Sequence, residues 1–305
     1  TRSGAKEDRL RLMRALRANP EPIYGLYEDG GEHTLARMVD RVSAEPELGA
    51  VVDGDRHDVW RIADPTVIAD FQAALARRRI WIADGHHRYE TAIAYRDERR
   101  AAEDFPEASS HILIALTPFE DPGLLVLPTH RLVRGLDPDR VSRLPELLDS
   151  RFVVEATTED GLAEAMRAGT GAARHRFGLV LPGGSWTLTL REESAMDGVA
   201  PGASAAWRML DVSILQALVF DRMLSIPMDS LATTANVGYT RDRAEAARLV
   251  HSGDYQAAFI LNLTSADDVR EVAAAGDRMP PKSTFFYPKL WSGLVLRRLE
   301  NGRRP

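Results

Sequence analysis

Cysteine is absent from all 305 residues, which excludes disulfides, thiolate metal sites and cysteine nucleophiles. Lysine is almost absent: Lys6, Lys282 and Lys289 are the three lysines among 39 basic residues, and the rest are arginine. A lysine that persists against such a bias marks a place where a compact, mobile ammonium serves better than a planar guanidinium. Two of the three stand together in MPPKSTFFYPK. Long apolar runs are missing as well. None approaches the roughly 20 residues that span a bilayer, and the opening TRSGAKEDRLRL has no apolar stretch that could act as a secretory signal. The expected location is the cytoplasm, with no membrane partner. Excess positive charge is also lacking: the formal net charge is -6, whereas a nucleic-acid-binding surface is usually strongly basic. Nucleic acid is therefore not an expected partner.

What is present is ordinary globular material. With 44% hydrophobic and 28% charged residues, the chain can bury a core and has the length for one large or two modest domains. Apolar periodicity predicts helices over AKEDRLRLMRALRAN, from Thr34, over TVIADFQAALARRR after Asp64-Pro65, and over HRYETAIAYRDERRAAED, where Tyr89, Ile93, Ala92 and Tyr95 turn to the core. Between them PIYGLY, AVVD, HDVWRIAD and HILIALTPF read as strands. IWIAD, apolar on both faces, reads as an interior strand. The pattern restarts near Leu136 with helices over VSRLPELLD and GLAEAMRA and the strand FVVEA. A hairpin over RFGLVLPGGSWTLTL turns at Gly183-Gly184. A loop over ESAMDGVAPGASA leads to a buried helix over WRMLDVSILQALVFDRML, too short in apolar length to be a span. Helices at RDRAEAARLVH and ADDVREVAAAG and strands at QAAFILNL and SGLVLRRL complete the chain. The expected class is α/β (α+β), with mixed sheets and helices in two parts, 1–135 and 136–305.

The chemistry concentrates at Asp84-Gly85-His86-His87-Arg88, where a strand hands directly to a helix. The first N–H groups of a helix have no partner within it, so they point at whatever lies beyond the strand end and form an anion site. Gly85 permits close backbone approach. Arg88 can fork onto phosphate oxygens, and His86 and His87 can donate to the same anion or transfer a proton. Two roles are open to Asp84, capping the helix or holding magnesium. In MPPKSTFFYPK, a proline frame presents Lys282, Ser283, Thr284 and Lys289 for anionic substrate or nucleotide phosphate. This is not a P-loop, because the Gly-x-x-x-x-Gly ahead of Lys282 is missing. Phe285, Phe286 and Tyr287 read as core. His130 and Arg131, in the loop Pro128-Thr129-His130-Arg131, are equally an ordinary polar loop or a ligand contact. His33, His57, His111, His175 and His251 stand alone and receive no role.

IADGHHRYETA, LPTHR and MPPKSTFFYPK together resemble the uncharacterised family catalogued as domain of unknown function 1015, across essentially the whole chain. Members of that family carry further sequence ahead of the point where this one begins, so an N-terminal region is expected to be missing. The motif Asp-Gly-His-His-Arg is similar to the Gly-x-x-Arg box of the ParB/sulfiredoxin superfamily, whose members bind nucleotide phosphates at such a turn. Within it the free serine kinases carry Asp-Gly-His-x-Arg, matched by Asp84, Gly85, His86 and Arg88. The resemblance implies a ParB/sulfiredoxin-like first part and a nucleotide-dependent phosphotransferase acting on a small hydroxylated, serine-like metabolite.

ATP or ADP and Mg2+ are the expected cofactors, with Asp84 as metal ligand. Asp84, His86 and His87 are expected to be catalytic, and Gly85, Arg88, Lys282, Ser283, Thr284 and Lys289 to bind phosphate. Tyr89, Glu90, His130 and Arg131 are expected to contact substrate. The acidic group that activates the hydroxyl in the serine kinases has its early candidates here in Glu28 and Asp29. The alternatives are a nucleotide-sensing or nucleic-acid-associated ParB-like protein, and a hydrolase of a phosphometabolite using His86 or His87.

Overall fold

Short apolar strands alternate with amphipathic helices along the chain, and the resulting fold is α/β. The structure, a computed structural model, describes residues 2–42, 45–52, 54–102, 106–168, 175–228, 231, 234–287 and 289–300. Pro288, from the proline frame of the MPPKSTFFYPK segment, lies outside them. The chain divides into two compact units, Thr1–Leu124 with Pro288–Pro305, and Leu125–Tyr287.

The first unit begins with α1 (Arg2–Leu16), which stops where Arg17 takes a left-handed φ of 48°. There follow β1 (Ala18–Asn19), β2 (Ile23–Tyr27), α2 (Thr34–Val39), β3 (Leu48–Val52), β4 (Asp55–Val59), α3 (Pro65–Leu75), β5 (Ile80–Asp84), α4 (His86–Ala101) and β6 (Ile114–Pro118). Asp64 starts α3 by accepting the Thr66 N–H at 2.8 Å, with Pro65 in the first turn, as the Asp-Pro pair leads one to expect. The central sheet has the order β5-β2-β6, β2 running antiparallel to β5 and parallel to β6. Every residue of β2 is buried. Gly25 makes that possible, because a Cβ there would lie 2.8 Å from Ile114 Cδ1 and Leu116 Cδ2 and 2.9 Å from Ile80 Cγ2. Met13 of α1, Tyr95 of α4 and Leu299 form a small buried cluster, with Leu10 and Ala92 against it.

Two expectations change here. IWIAD is an edge strand, half-exposed along its length, and PIYGLY is the interior one. Tyr89 points outward at 40% exposure, while Thr91 and Tyr95 take the buried face of α4.

The second unit runs through β7 (Leu125–Leu127), β8 (His130–Val133), α5 (Pro138–Ser142), α6 (Leu144–Leu148), β9 (Phe152–Thr157), α7 (Glu159–Ala168), β10 (Arg176–Leu181) and β11 (Gly184–Leu190). After these come α8 (Ala205–Arg208), α9 (Asp211–Ile214), β12 (Val237–Thr240), α10 (Arg243–His251), β13 (Ala257–Ile260), α11 (Ala266–Ala274) and β14 (Phe285–Tyr287). A six-stranded sheet in the order β12-β8-β13-β10-β11-β9 pairs antiparallel throughout. After α9 the helix widens to π geometry over Leu215–Met223, and Leu215 through Phe220 are all buried in the main core. The segment over ESAMDGVAPGASA is not a bare loop. It forms a short 3-10 turn over Glu193–Met196 and buries Met196 and Val199.

The sequence places the boundary between parts at 135/136. In the structure, strand pairing moves it. β14 pairs with β7, which draws Leu125–Leu127 into the second unit, while Arg297 and Arg298 pair with Asn19 and Ala18 and return the chain end to the first. No helix among the described residues is long and apolar enough to cross a membrane.

Candidate anion site at Gly85

β5 delivers Asp84 to the sheet end, opposite Tyr24 of β2, and the next residue turns the chain into the 16-residue α4. Gly85 makes the turn with φ 90° and ψ 21°, a left-handed geometry that side chains resist. Space forbids a side chain too, since a Cβ would sit 2.8 Å from Arg88 Nε and 3.1 Å from Ile23 Cγ2. As the N-cap residue, Gly85 brings no side chain to the helix start. By contrast, α3, α10 and α11 are capped by Asp64, Asp242 and Ser265. The N-cap residue of α4 thus leaves the positive end of the helix dipole without a cap of its own.

Asp84 does not hold the N-cap position. Its Oδ1 accepts the Gly85 N–H at 2.8 Å, and its Oδ2 accepts from Lys289 Nζ at 2.7 Å, with Arg88 Nη2 at 3.8 Å. Burial pushes the Asp84 carboxyl up, but the bond and charge of Lys289, the Gly85 amide and Arg88 outweigh it and hold the group below its ordinary value. Asp84 is therefore a carboxylate at neutral pH, and a weak base.

Arg88 folds back toward the sheet, where its Nη1 donates to Glu21 Oε2 at 2.8 Å, and Ser292 Oγ donates to Glu21 Oε1 at 2.7 Å. Glu21 and Ser292 are absent from the sequence-derived set. The only local signal for Glu21 is its position between Pro20 and Pro22, just ahead of a strand, and Ser292 has none. Beside Arg88 and Glu21 opens a recess lined also by Arg9, Met13, Pro20 and Thr91.

His86 and His87 are exposed at the helix start. His87 Nδ1 lies 3.6 Å from Glu90 Oε2, and the Glu90 carboxylate pairs with Lys6, whose hydrogen bond is the main reason its pKa falls below the ordinary value. Thr91 Oγ1 donates to the His87 carbonyl at 2.6 Å. Asp29 is buried, accepts the Thr34 N–H at 3.0 Å at the start of α2 and faces Arg78 at 3.7 Å, which is a structural environment. Glu28 is exposed.

The first unit thus gathers Asp84, Gly85, Arg88 and Lys289, with the histidines beside them. Lys282, Ser283, Thr284, His130 and Arg131 belong to the second unit. His130 and Arg131 are not loop residues. They sit in β8, inside the six-stranded sheet, at 4% and 1% exposure. Among the histidines without an assigned role, His57 Nε2 accepts from Trp291 Nε1 at 2.9 Å, and His175 Nδ1 lies 2.8 Å from Asp211 Oδ1. Among the described residues no group of three or more His, Asp or Glu side chains converges as a metal cage. The donor available to a cation at this turn is the single carboxylate of Asp84. That fits magnesium only in the manner in which phosphate-bound magnesium is held, by one or two carboxylates and the phosphates themselves.

The model of a family described as a protein of unknown function, DUF1015, matches residues 1–213. No curated protein matches the chain. Among solved structures, a conserved hypothetical protein from Pyrococcus furiosus is similar at 13% identity and a TM-score of 0.39, over 90% of this chain and 92% of that one. Free serine kinase in complex with AMP is similar at 16% identity and a TM-score of 0.38, over 86% and 83%. A variant of free serine kinase in complex with ADP follows at 15% identity and 0.37, over 86% and 83%.

Proposed function

The chain belongs to the DUF1015 family of proteins of unknown function, and we propose that it is a nucleotide-dependent phosphotransferase acting on a small hydroxylated metabolite. The observation that carries this reading is the helix start at Gly85, bare of a capping side chain and flanked by an ionised carboxylate and two cations, Asp84, Lys289 and Arg88. The Asp-Gly-His-x-Arg pattern of Asp84, Gly85, His86 and Arg88, shared with free serine kinases, supports it.

In this reading phosphate oxygens of ATP or ADP lie against the first turn of α4. Gly85 permits their approach, and Arg88, His86 and His87 donate to them. Lys289 neutralises charge that develops on the transferred group. The transfer breaks the bond between the terminal phosphorus and the nucleotide oxygen and forms one to the acceptor hydroxyl oxygen, whose proton leaves to a nearby carboxylate or solvent. A carboxylate with a depressed pKa is a poor proton abstractor, so Asp84 orients the hydroxyl or holds Mg2+. Bound magnesium would supply charge neutralisation at the phosphates.

Titration calorimetry of the chain with ATP and with ADP, each with and without Mg2+, tests this. The wild type should bind nucleotide, and Arg88→Ala should weaken binding by at least about tenfold through the loss of charge-assisted hydrogen bonds. Asp84→Asn should abolish the gain from magnesium. Absence of nucleotide binding, or unchanged affinity in Arg88→Ala, would overturn the proposal. Release of phosphate from a phosphometabolite without nucleotide would favour the hydrolase.

A further inference from the structure

Buried charge without a counter-charge is costly, and a fold retains it only with compensation. Arg131 is such a charge. It sits in β8 between β12 and β13, facing Tyr239 and Phe259 in register, and is 1% exposed. Its Nη1 donates to the carbonyl of Thr129. Its Nη2 is buried with no hydrogen-bond partner, and among the described residues no carboxylate pairs with it. The neighbouring carboxylates are committed elsewhere: Asp242 caps α10 through the Ala244 and Glu245 amides at 2.7 and 3.1 Å, and Glu245 accepts the Thr240 hydroxyl. His130 adds no negative charge, since its Nδ1 accepts the Leu261 N–H at 3.3 Å.

A second cation converges on the same aromatic ring. Arg131 Cζ lies 5.0 Å and Lys282 Nζ 4.3 Å from the ring centroid of Tyr239, whose hydroxyl is fixed by donation to the Leu231 carbonyl at 2.6 Å. Lys282 is exposed, yet its backbone is held left-handed at φ 55°, a conformation that costs a side-chain-bearing residue and recurs where function requires it. Next in the chain, Ser283 is 4% exposed and its buried hydroxyl likewise has no hydrogen-bond partner among the described residues. Two cations thus meet on one ring with no carboxylate paired to either among the described residues, and the residue after Lys282 carries a buried hydroxyl without a partner.

We propose that Arg131, Tyr239, Lys282 and Ser283 form a second anion site within the unit Leu125–Tyr287, which takes the oxyanion group, carboxylate or phosphate, of a small molecule. Arg131 Nη2 and Ser283 Oγ donate to the oxyanion. Lys282, on its exposed arm over Tyr239, closes against it. The oxyanion supplies the counter-charge that β8 lacks. The site stands on residues of the second unit alone and is independent of the reading at Gly85.

The test uses the 305-residue chain with its tyrosines labelled with 13C at Cζ, the Tyr239 signal being identified by its loss in Tyr239→Phe. Inorganic phosphate and acetate are titrated separately. A saturable shift of the Tyr239 signal with phosphate identifies a phosphate site, and one with acetate a carboxylate site. No shift with either overturns the proposal. Arg131→Met should abolish the response. If that variant does not fold, Lys282→Ala, at an exposed position, should raise the dissociation constant by about tenfold, the loss of one charge-assisted contact. A response unchanged in Lys282→Ala, or persisting in folded Arg131→Met, sinks the assignment.

Discussion

Arg88 and Arg131 both stand beside a histidine, and the two regions treat them in opposite ways. Arg88 in the first unit is partly buried, bonded to Glu21 and close to Asp84, so its charge is balanced by carboxylates already in place. Arg131 in the second unit is buried to 1% exposure on a sheet strand and meets an aromatic face and a carbonyl, with no carboxylate among the described residues. Burial lowers the Arg131 pKa to about 10. A surface turn can assemble its own charge balance from mobile side chains at little cost, whereas a sheet interior that holds a cation without a carboxylate bears a desolvation cost, which the proposed oxyanion would offset.

The sharpest way to break this contrast is pH, through the histidine beside Arg131. Burial, then the charges of Arg131 and Arg243, lower the His130 pKa from 6.5 to about 4. Between these values the unfolded chain binds a proton that the folded chain refuses, so stability falls as pH drops from about 6.5 to about 4 and levels below that. The full difference is on the order of 3 kcal/mol. Urea unfolding from pH 7 to pH 4 should show this loss in the wild type and a flatter profile in His130→Asn, which retains an acceptor for the Leu261 amide. Equal slopes would mean that the second unit does not hold its histidine neutral.

The backbone of the first site comes next in size. Gly85→Ala should destabilise the chain by about 1–3 kcal/mol, because φ 90° is strained for any residue with a Cβ. The new methyl also presses on Arg88 and Ile23. Thermal unfolding measures it. A loss within error would show that the turn relaxes, and that glycine is not required there for folding.

The smallest effect is expected where charges are already balanced. Lys289→Ala removes the Asp84 partner at a half-exposed position, so the cost should stay within about 1 kcal/mol and shrink with added salt. Its signature lies in acid. A carboxylate with a depressed folded pKa contributes stability that is present above its unfolded pKa and lost as pH falls through the folded value. Acid unfolding below about pH 4 should therefore begin at higher pH in Lys289→Ala than in the wild type. A large loss at neutral pH would show the pair to be a structural element of the first unit.

Most of the local architecture was legible along the chain. Asp64-Pro65 starts α3 as the pair predicts, while the Asp242 cap of α10 and the capping box of Ser265 and Asp268 on α11 are supplied by the structure to helices read from periodicity alone. The hairpin of β10 and β11 was legible too, although it turns one residue earlier than expected, at Pro182-Gly183, with Gly184 already paired to Leu181. The strand-turn-helix at Asp84-Gly85-His86 was legible for the same reason, since caps, glycines and apolar periodicity act within a few residues of one another. The helix over WRMLDVSILQALVFDRML was legible as buried but not as broken into α8, α9 and a π-helical stretch, because which carbonyl an amide chooses depends on what packs around it.

Strand order and long-range partners were not legible. IWIAD is as apolar as an interior strand, yet PIYGLY occupies the centre, where Gly25 lets β5 and β6 close in. Lys289 meets Asp84 across 205 residues of sequence, Glu21 reaches Arg88 across 67, and β8 buries a His-Arg pair whose composition reads as a loop. The sequence by itself determined the α/β alternation, the helix ends and the glycine turn that creates the first site, because these depend on neighbours in the chain. Only the tertiary structure decided which charges are balanced and which are left alone, because the pairing of an ion is settled by strand register and burial, and neither is written locally.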